Sequence, residues 1–268
     1  MLNRGVGNVL GVGVGAVDYE YAVARVVDDA RAGRRCTLSA LAVHGVVSGA
    51  LDPVHRHRLN HLDLVTPDGQ PVRWALNLLH GYGLKDRVCG PDLMPKVCEA
   101  AAAGGLGVYL YGSTPRVLEA LGANLKRRFP GLRLAGSEPS RFRRLSEAEQ
   151  AGTAERIRAS GARILFVGLG CPRQEVFAYE MGRLLPMPIL AVGAAFDFHA
   201  GFLGDSPEWV KRLGLQWVHR LIQEPRRLWR RYLVTNTQFL VLLAAQALRV
   251  WRPSLTDTRA PGEELRYG

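Results

Sequence analysis

The clearest signal in the chain is the segment Arg163-Ile164-Leu165-Phe166-Val167-Gly168-Leu169-Gly170-Cys171-Pro172-Arg173-Gln174-Glu175. Four apolar residues are followed by a glycine-rich turn, and a stretch with helical periodicity begins just after the proline. This order is typical of a buried strand that leads into a helix on the face of a parallel sheet. The free N–H groups and the positive dipole end of such a helix suit a diphosphate.

The same alternation continues on both sides of this segment. Further apolar runs, expected as strands, cover residues 9–14, 37–43, 62–66, 107–111, 132–136 and 189–192. Helices are expected over residues 19–31, 92–103, 114–129, 146–160 and 173–185. The sequence therefore predicts an α/β, Rossmann-like fold with a largely parallel sheet flanked by helices.

The composition changes after about residue 205, where Trp and Arg become dense and β-branched strands disappear. We expect an α/β core over residues 1–205, a basic amphipathic helical appendage over 206–252 and a flexible polar tail over 253–268. Residues 239–248 are strongly apolar. They are too few to span a bilayer, which takes about 20 such residues.

Much of the formal net charge of +11 lies in the expected appendage. Residues 209–252 contain nine Lys and Arg residues against one acidic residue, Glu224. Such a stretch attracts phosphates on nucleic acid, on anionic lipid or on a lipid diphosphate. Because Trp209, Trp217, Leu228 and Trp229 are interleaved with the charges, we favour an interfacial helix over the alternative, a nucleic-acid-binding protein.

The four cysteines suggest a reducing compartment. They form no C-x-x-C pair and no ligand-like cluster. The first residues also lack an apolar region followed by a small-residue cleavage site, so a secretory signal is not expected. We expect a protein of the cytoplasm.

Two motifs have simpler alternatives. In Gly11-Val12-Gly13-Val14-Gly15 the third glycine comes too early for a dinucleotide fingerprint, and a strand and turn leading to a helix near Asp18 is preferred. His57 and His61 have a spacing that can hold a metal on a helix, but interleaved arginines favour a solvated face. The chain also contains no D-x-D motif.

Asp68 is the most informative acidic residue. It follows the candidate strand at 62–66 and precedes Gly69, so the chain turns where open α/β sheets bind ligands. The alternative is an Asp-Gly turn that only caps the next helix. Residues 87–93, 168–175 and 193–201 are further candidates for the same crevice, and within the last of these Asp197 is given no chemical step.

Taken in order, these segments resemble the WecG/TagA/CpsF glycosyltransferases, also called glycosyltransferase family 26. The matching segments are residues 63–74, 87–93, 168–175, 196–201, 214–221 and 224–232. The resemblance covers about residues 9 to 240.

The resemblance implies a hexosyltransferase that moves an N-acetylhexosamine or related sugar from a UDP donor to a lipid-diphosphate-linked saccharide at the inner face of the membrane. The products would be exopolysaccharide, teichoic acid or common antigen. It implies inversion, no metal ion, no cofactor and no nucleic-acid partner. It leaves the donor sugar, the acceptor and the oligomeric state open.

By motif position, Asp68 is expected to be the general base, and Arg87 to offset charge on the departing diphosphate. The other positions fall into two groups. Donor binding is expected at Gly168, Gly170, Gln174, Glu175 and Asp197. Contact with the acceptor or the membrane is expected at Arg220, Arg226, Arg227, Arg230 and Arg231.

The chain departs from the family pattern at three positions. Where a Thr-x-Asn is usual it has Ala40-Leu41-Ala42, so a donor contact is lost or is supplied by Ser39 or His44. It also has Asp205-Ser206-Pro207 for Arg-Ala-Pro and Gln216 for Glu. These departures motivate a second hypothesis, a UDP-sugar binder that has lost its catalytic activity.

Overall fold

The structure is a computed structural model that describes residues 1–204, 206–207, 210 and 216–268. Its centre is a sheet of six parallel strands in the order β4-β3-β8-β7-β5-β6. These strands are β3 (Cys36–Leu41), β4 (Leu64–Pro67), β5 (Val108–Gly112), β6 (Leu134–Glu138), β7 (Ile164–Gly168) and β8 (Pro188–Ala191). The predicted fold class is confirmed.

The first two strands, β1 (Asn3–Val9) and β2 (Val12–Val17), form a separate antiparallel hairpin. Leu10 and Gly11 both have positive φ, 56° and 87°, as the favoured two-residue hairpin turns require. The Asn8 carboxamide oxygen accepts the Gly11 N–H at 2.8 Å. The prediction of one strand over residues 9–14 is therefore wrong, because the chain reverses direction inside that apolar run.

Helices cover both faces of the sheet. They are α1 (Tyr19–Ala32), α2 (Val43–Leu51), α3 (Pro53–Asn60), α4 (Gln70–His80), α5 (Gly90–Ala103), α6 (Pro115–Arg128), α7 (Glu147–Ala159), α8 (Arg173–Met181), α9 (Ala195–Ala200), α10 (Gln216–Gln223) and α11 (Pro225–Ala247). Asp18 caps α1, and Ser146 with Glu149 forms the capping box of α7. The sequence analysis did not predict α2, α4 or α9.

Two apolar clusters fill the space between the sheet and the helices. Along β7, Leu165 and Val167 belong to the cluster under α2, α7 and α8, whereas Ile164 and Phe166 belong to the cluster under α1, α5 and α6. Successive side chains of a strand point to opposite faces, so a strand buried on both faces is a continuous apolar run. This is why the central strands were readable from the sequence.

The C-terminal part packs back onto the core. Phe239 of α11 is 2% exposed and belongs to the cluster that contains α2. After α11 the chain crosses α3, where the Asn60 carboxamide donates to the Leu255 carbonyl at 2.9 Å and the Arg259 N–H donates to the Pro53 carbonyl at 3.0 Å. The tail thus lies against the core, and its expected flexibility stays a prediction.

Asp205 lies outside the described residues, and the domain boundary expected there stays a prediction. Among the helices that the structure describes, none is both long enough and apolar enough to cross a membrane.

Candidate functional site

The candidate site lies at the carboxyl edge, the edge of the sheet where the six parallel strands end. The connection from β5 through α6 leads outward to β6, whereas the connection from β7 through α8 leads the other way to β8. Open α/β sheets bind ligands at such a switch point between neighbouring strands.

Two glycines meet at this switch point. A Cβ atom on Gly112 would lie 2.8 Å from the carbonyl carbon and oxygen of Gly168, so only glycine allows the two strand ends to approach this closely. Ser113 follows in the left-handed region, and its N–H donates to the Gly168 carbonyl at 3.0 Å. The sequence analysis did not include this turn in the crevice.

Asp68 lies between the end of β4 and the start of α4. Its N–H donates to the Leu41 carbonyl at the end of β3, at 3.2 Å, which fixes the backbone of the turn. The N-cap of α4 is Gly69, which has no side chain to cap the helix. The role of Asp68 as the general base stays a prediction.

Arg87 is held beside Asp68 through its neighbour Val88. The Val88 N–H donates to the Pro67 carbonyl at 3.0 Å, and the Thr66 hydroxyl donates to the Val88 carbonyl at 2.9 Å. These two bonds align residues 87–89 with the end of β4. The structure thus brings together the two residues that the sequence analysis named as catalytic.

The electrostatic surroundings keep Arg87 charged. Burial alone would lower its pKa, but the nearby acidic groups of Cys89, Asp68, Tyr19 and Asp92 raise the pKa of Arg87 overall. Arg87 forms no hydrogen bond and no ion pair within the part of the chain that the structure describes. A half-buried, unengaged guanidinium next to a carboxylate is suited to an anionic ligand.

A third group, Tyr19 at the start of α1, holds the same segment from the other side. The Cys89 N–H donates to the Tyr19 hydroxyl at 3.1 Å, and that hydroxyl donates to Asp92 at 3.3 Å. The Cys89 thiol also donates to Asp92, at 3.0 Å. Burial raises the pKa of Cys89 to about 12, so the thiol stays protonated as a donor. Sequence reasoning missed Tyr19, which lies 68 positions before Arg87 and outside every matching segment.

Gln174 and Glu175, at the start of α8, lie below the surface of the crevice. Glu175 is 0% exposed, and its Oε1 accepts from the Ser39 hydroxyl at 3.0 Å and from the Gln174 carboxamide at 2.9 Å. Burial raises the pKa of Glu175. Ser39 is thus engaged with Glu175, while His44 lies in the first turn of α2.

The backbone of the expected diphosphate turn is more accessible than these side chains. Gly168 is half-buried, and Gly170 is exposed with a positive φ of 77°.

Asp197 lies on α9, beside the start of α5. A Cβ on Gly90 would lie 2.6 Å from the Val192 carbonyl oxygen, and the His199 ring is 2.7 Å from the Pro91 carbonyl. The 193–201 and 87–93 segments therefore meet at the carboxyl edge, as the crevice hypothesis requires.

The basic residues of the appendage are described in part. Arg226 and Arg230 are exposed on α11, and the Arg230 guanidinium is 5.9 Å from the centre of the Trp229 ring. The side chains of Arg220, Arg227 and Arg231 lie outside the described part of the chain.

His57 and His61 stack on α3 with their ring centres 3.8 Å apart, away from the crevice. Across the described ranges 1–204 and 216–268 no group of three or more His, Cys, Asp or Glu residues is arranged to hold a metal ion.

Comparison with known proteins gives two findings. A model of the glycosyl transferase WecG/TagA/CpsF family matches residues 7–253. A protein of Bacillus spizizenii (strain ATCC 23059 / NRRL B-14472 / W23), named N-acetylglucosaminyldiphosphoundecaprenol N-acetyl-beta-D-mannosaminyltransferase, is 31% identical over 183 residues. The similar region covers 68% of this chain and 68% of that protein.

Proposed function

The chain belongs to the WecG/TagA/CpsF glycosyltransferase family, and we propose that it moves an N-acetylhexosamine-type sugar from a UDP donor to a polyprenyl-diphosphate-linked saccharide. The transfer inverts the anomeric centre, needs no metal ion and serves the synthesis of a cell-surface polysaccharide. The name of the Bacillus relative, a mannosaminyltransferase acting on a lipid-diphosphate-linked N-acetylglucosamine, supports this substrate class.

The observation that carries the proposal is that Asp68 and Arg87 lie side by side at the carboxyl edge. A base and a cation are the two charged groups that a metal-free sugar transfer requires. They come from segments 19 positions apart, and the Val88 N–H bond to the Pro67 carbonyl joins these segments at 3.0 Å. Such fixed geometry is what allows a charged pair to act without reorganisation during the reaction.

In the proposed reaction, the acceptor hydroxyl oxygen attacks the anomeric carbon from the face opposite UDP. The new carbon–oxygen bond forms as the bond to the UDP oxygen breaks, and the hydroxyl proton passes to the Asp68 carboxylate. Arg87 and the N–H groups of the turn from Gly168 to Gly170 offset the negative charge that develops on the leaving diphosphate. Gln174 and Glu175 support that turn from below.

We further propose that α10 and α11 bind the inner face of the cell membrane from the cytoplasm. The first two turns of α11 carry the exposed Arg226 and Arg230 with Trp229 between them, and the exposed Leu233 and Leu240 follow along the helix. Apolar groups that enter the acyl boundary and cations that meet anionic head groups are the two parts of an interfacial helix. The arginines would also bind the acceptor diphosphate.

The proposal is tested by incubating the protein with a panel of UDP-N-acetylhexosamines and a polyprenyl-diphosphate-linked N-acetylglucosamine, with UDP release as the readout. Asp68→Asn should lower kcat by about 10²-fold or more, because the isosteric amide cannot accept the proton. Activity should persist in EDTA. Full turnover by Asp68→Asn would remove Asp68 from the role of base, and loss of activity in EDTA would contradict the metal-free mechanism.

A second candidate function rests on Ala40 and Ala42. Ala40 pairs in register with Thr66 on β4, and Ala42 is the N-cap of α2, where it makes no side-chain hydrogen bond. Neither side chain offers a polar atom to a ligand at the edge next to Asp68. A chain that binds UDP but turns over no donor of the panel would fit a UDP-sugar binder without catalytic activity.

A further inference from the structure

Residues 254–268 lie beyond the region that the family model matches, yet they are fixed to the core. The N–H groups of Leu265 and Arg266 donate to the two carboxylate oxygens of Glu180 on α8, at 2.8 and 2.9 Å. The Leu145 N–H donates to the Arg266 carbonyl at 2.7 Å. Glu180 lies near the end of α8, and Leu145 lies in the connection that leads from the end of β6 to α7.

A continuous path of hydrogen bonds leads from these residues to the switch point. The Ser140 hydroxyl donates to the Gly268 carbonyl at 2.7 Å, and the Ser140 N–H donates to the Ser113 carbonyl at 3.0 Å. The Ser113 N–H in turn donates to the Gly168 carbonyl at 3.0 Å. Gly168 opens the turn that we propose for the donor diphosphate.

Gly268 and its neighbour Tyr267 make contacts that few other residues could make. A Cβ on Gly268 would lie 2.5 Å from Leu145 Cγ, so the pocket takes a glycine. Tyr267 pairs with Arg144 as an isolated β-bridge, and its ring centre lies 5.7 Å from the guanidinium of Arg173. Arg173 is the first residue of α8, the helix whose N-terminus follows the Gly168–Gly170 turn.

We propose that residues 265–268 form part of the wall of the donor site and position two of its components. Through Ser140 and Ser113 they fix the β5 side of the crevice, and through Tyr267 they hold the Arg173 guanidinium beside the first turn of α8. They touch the diphosphate only through these groups, so they are positioning residues. The inference rests on the proposed function, since it assigns the β5–β7 crevice to the donor diphosphate.

The positioning role follows from the kind of contact made. A cation held over an aromatic ring loses rotational freedom before the ligand arrives, and binding then costs less entropy. Removing the ring frees Arg173 without deleting its charge. The effect should therefore appear in the binding of the diphosphate and not in the binding of the acceptor.

The test compares Tyr267→Ala, Tyr267→Phe and Gly268→Leu in the full chain. Arg259→Ala is the matched control, because Arg259 is an exposed cation of the same segment and contacts neither Arg173 nor Ser140. Calorimetry measures Kd for UDP and for inorganic pyrophosphate, and turnover measures KM for donor and acceptor separately. Thermal unfolding reports stability.

Tyr267→Ala and Gly268→Leu should weaken UDP and pyrophosphate binding by about threefold to tenfold, with the acceptor KM unchanged. Tyr267→Phe, which keeps the ring, and Arg259→Ala should bind both ligands as the unmodified chain does. If the Tm values of Tyr267→Ala and Gly268→Leu fall while both Kd values stay the same, the segment is only structural and the inference is overturned.

Failure of the proposed function gives a different result. If the unmodified chain binds pyrophosphate but not UDP, the UDP donor is refuted, and a weaker Kd for pyrophosphate in Tyr267→Ala still supports the positioning role. If the unmodified chain binds neither ligand, the crevice is not a diphosphate site and the inference is overturned.

Discussion

At the scale of single residues, the site depends on groups that lie far apart in the sequence and close together in the fold. Asp68 and Arg87 are joined through backbone bonds of their neighbours, whereas Tyr19 contacts the Arg87 segment directly through Cys89. The Tyr19 hydroxyl both accepts from the Cys89 N–H and donates to Asp92. A phenylalanine there would leave the Cys89 N–H without this acceptor.

Tyr19→Phe should lower kcat by about tenfold while leaving the acceptor KM unchanged, because a lost hydrogen bond of about 1 to 1.5 kcal/mol lets the Arg87 segment move. The measurement is a double-mutant cycle with Arg87→Ala. If Tyr19 acts through Arg87, its substitution should cost little in the Arg87→Ala background.

Tyr21→Phe is the matched control, since Tyr21 lies on the same helix and its side chain makes no hydrogen bond to the Arg87 segment among the described residues. Equal losses from Tyr19→Phe in both backgrounds would contradict a role through Arg87.

At the scale of elements, glycines decide how closely helices approach the strand ends. Gly90, the first residue of α5, lies against the backbone of Val192, which immediately follows β8. Gly45 and Gly49 of α2 similarly approach Leu41 and Leu59. Because α2 is apolar on most of its surface and contains two glycines, its sequence lacks the amphipathic period by which helices are recognised.

Gly90→Ala should destabilise the protein by about 2 to 3 kcal/mol, since a backbone carbonyl 2.6 Å from the new Cβ cannot rotate away. The shift of α5 should also move Arg87 and lower kcat. Urea unfolding and turnover are the measurements.

Gly122→Ala on α6 is the control. Its Cβ would meet only Leu134, at 3.5 Å, so the substitution should stabilise the helix by about 0.5 to 1 kcal/mol. Equal stability changes in the two variants would show that the close approach at Gly90 does not constrain α5.

At the scale of the whole molecule, α11 connects the core to the proposed membrane surface. One side of this helix contributes Phe239 to the core, and the other exposes Leu233, which is 63% exposed. The same helix packs on α2 and α4, and α4 begins directly after Asp68 and Gly69. Binding of α11 to a lipid surface would bring Asp68 near the membrane where a lipid-linked acceptor resides.

Leu233→Glu should weaken binding to vesicles containing phosphatidylglycerol by about tenfold or more, because a charge replaces an apolar group at the acyl boundary. Co-sedimentation at low and high salt is the measurement, and binding should fall with salt. Leu184 is an exposed leucine of the α/β part of the chain, away from α11, so Leu184→Glu should bind these vesicles as the unmodified chain does. Equal losses in both variants would contradict a specific role of α11.

The sequence predicted the six strands of the central sheet well. Five of them are buried over nearly their whole length and are therefore largely apolar runs, whereas the edge strand β6 is not. The sequence analysis missed the hairpin turn at Leu10 and Gly11, where the apolar run continues through a reversal of the chain. It grouped Asp68, Arg87 and the segment at 168–175 into one crevice, since turns after parallel strands share an edge. Whether each of these residues has its expected role stays a prediction.

The sequence by itself determined the fold class, the family and the edge of the sheet where the site lies, because these depend on periodicity and on short motifs. Only the tertiary structure decided that Tyr19 holds the Arg87 segment, that Glu175 is buried beneath Gln174, and that residues 265–268 reach the turn at Ser113. The bond between Tyr19 and Cys89 joins positions 70 residues apart, and the path from Gly268 through Ser140 to Ser113 spans 155 positions. Backbone groups are the same in every residue, so no local pattern of side chains records which of them will pair.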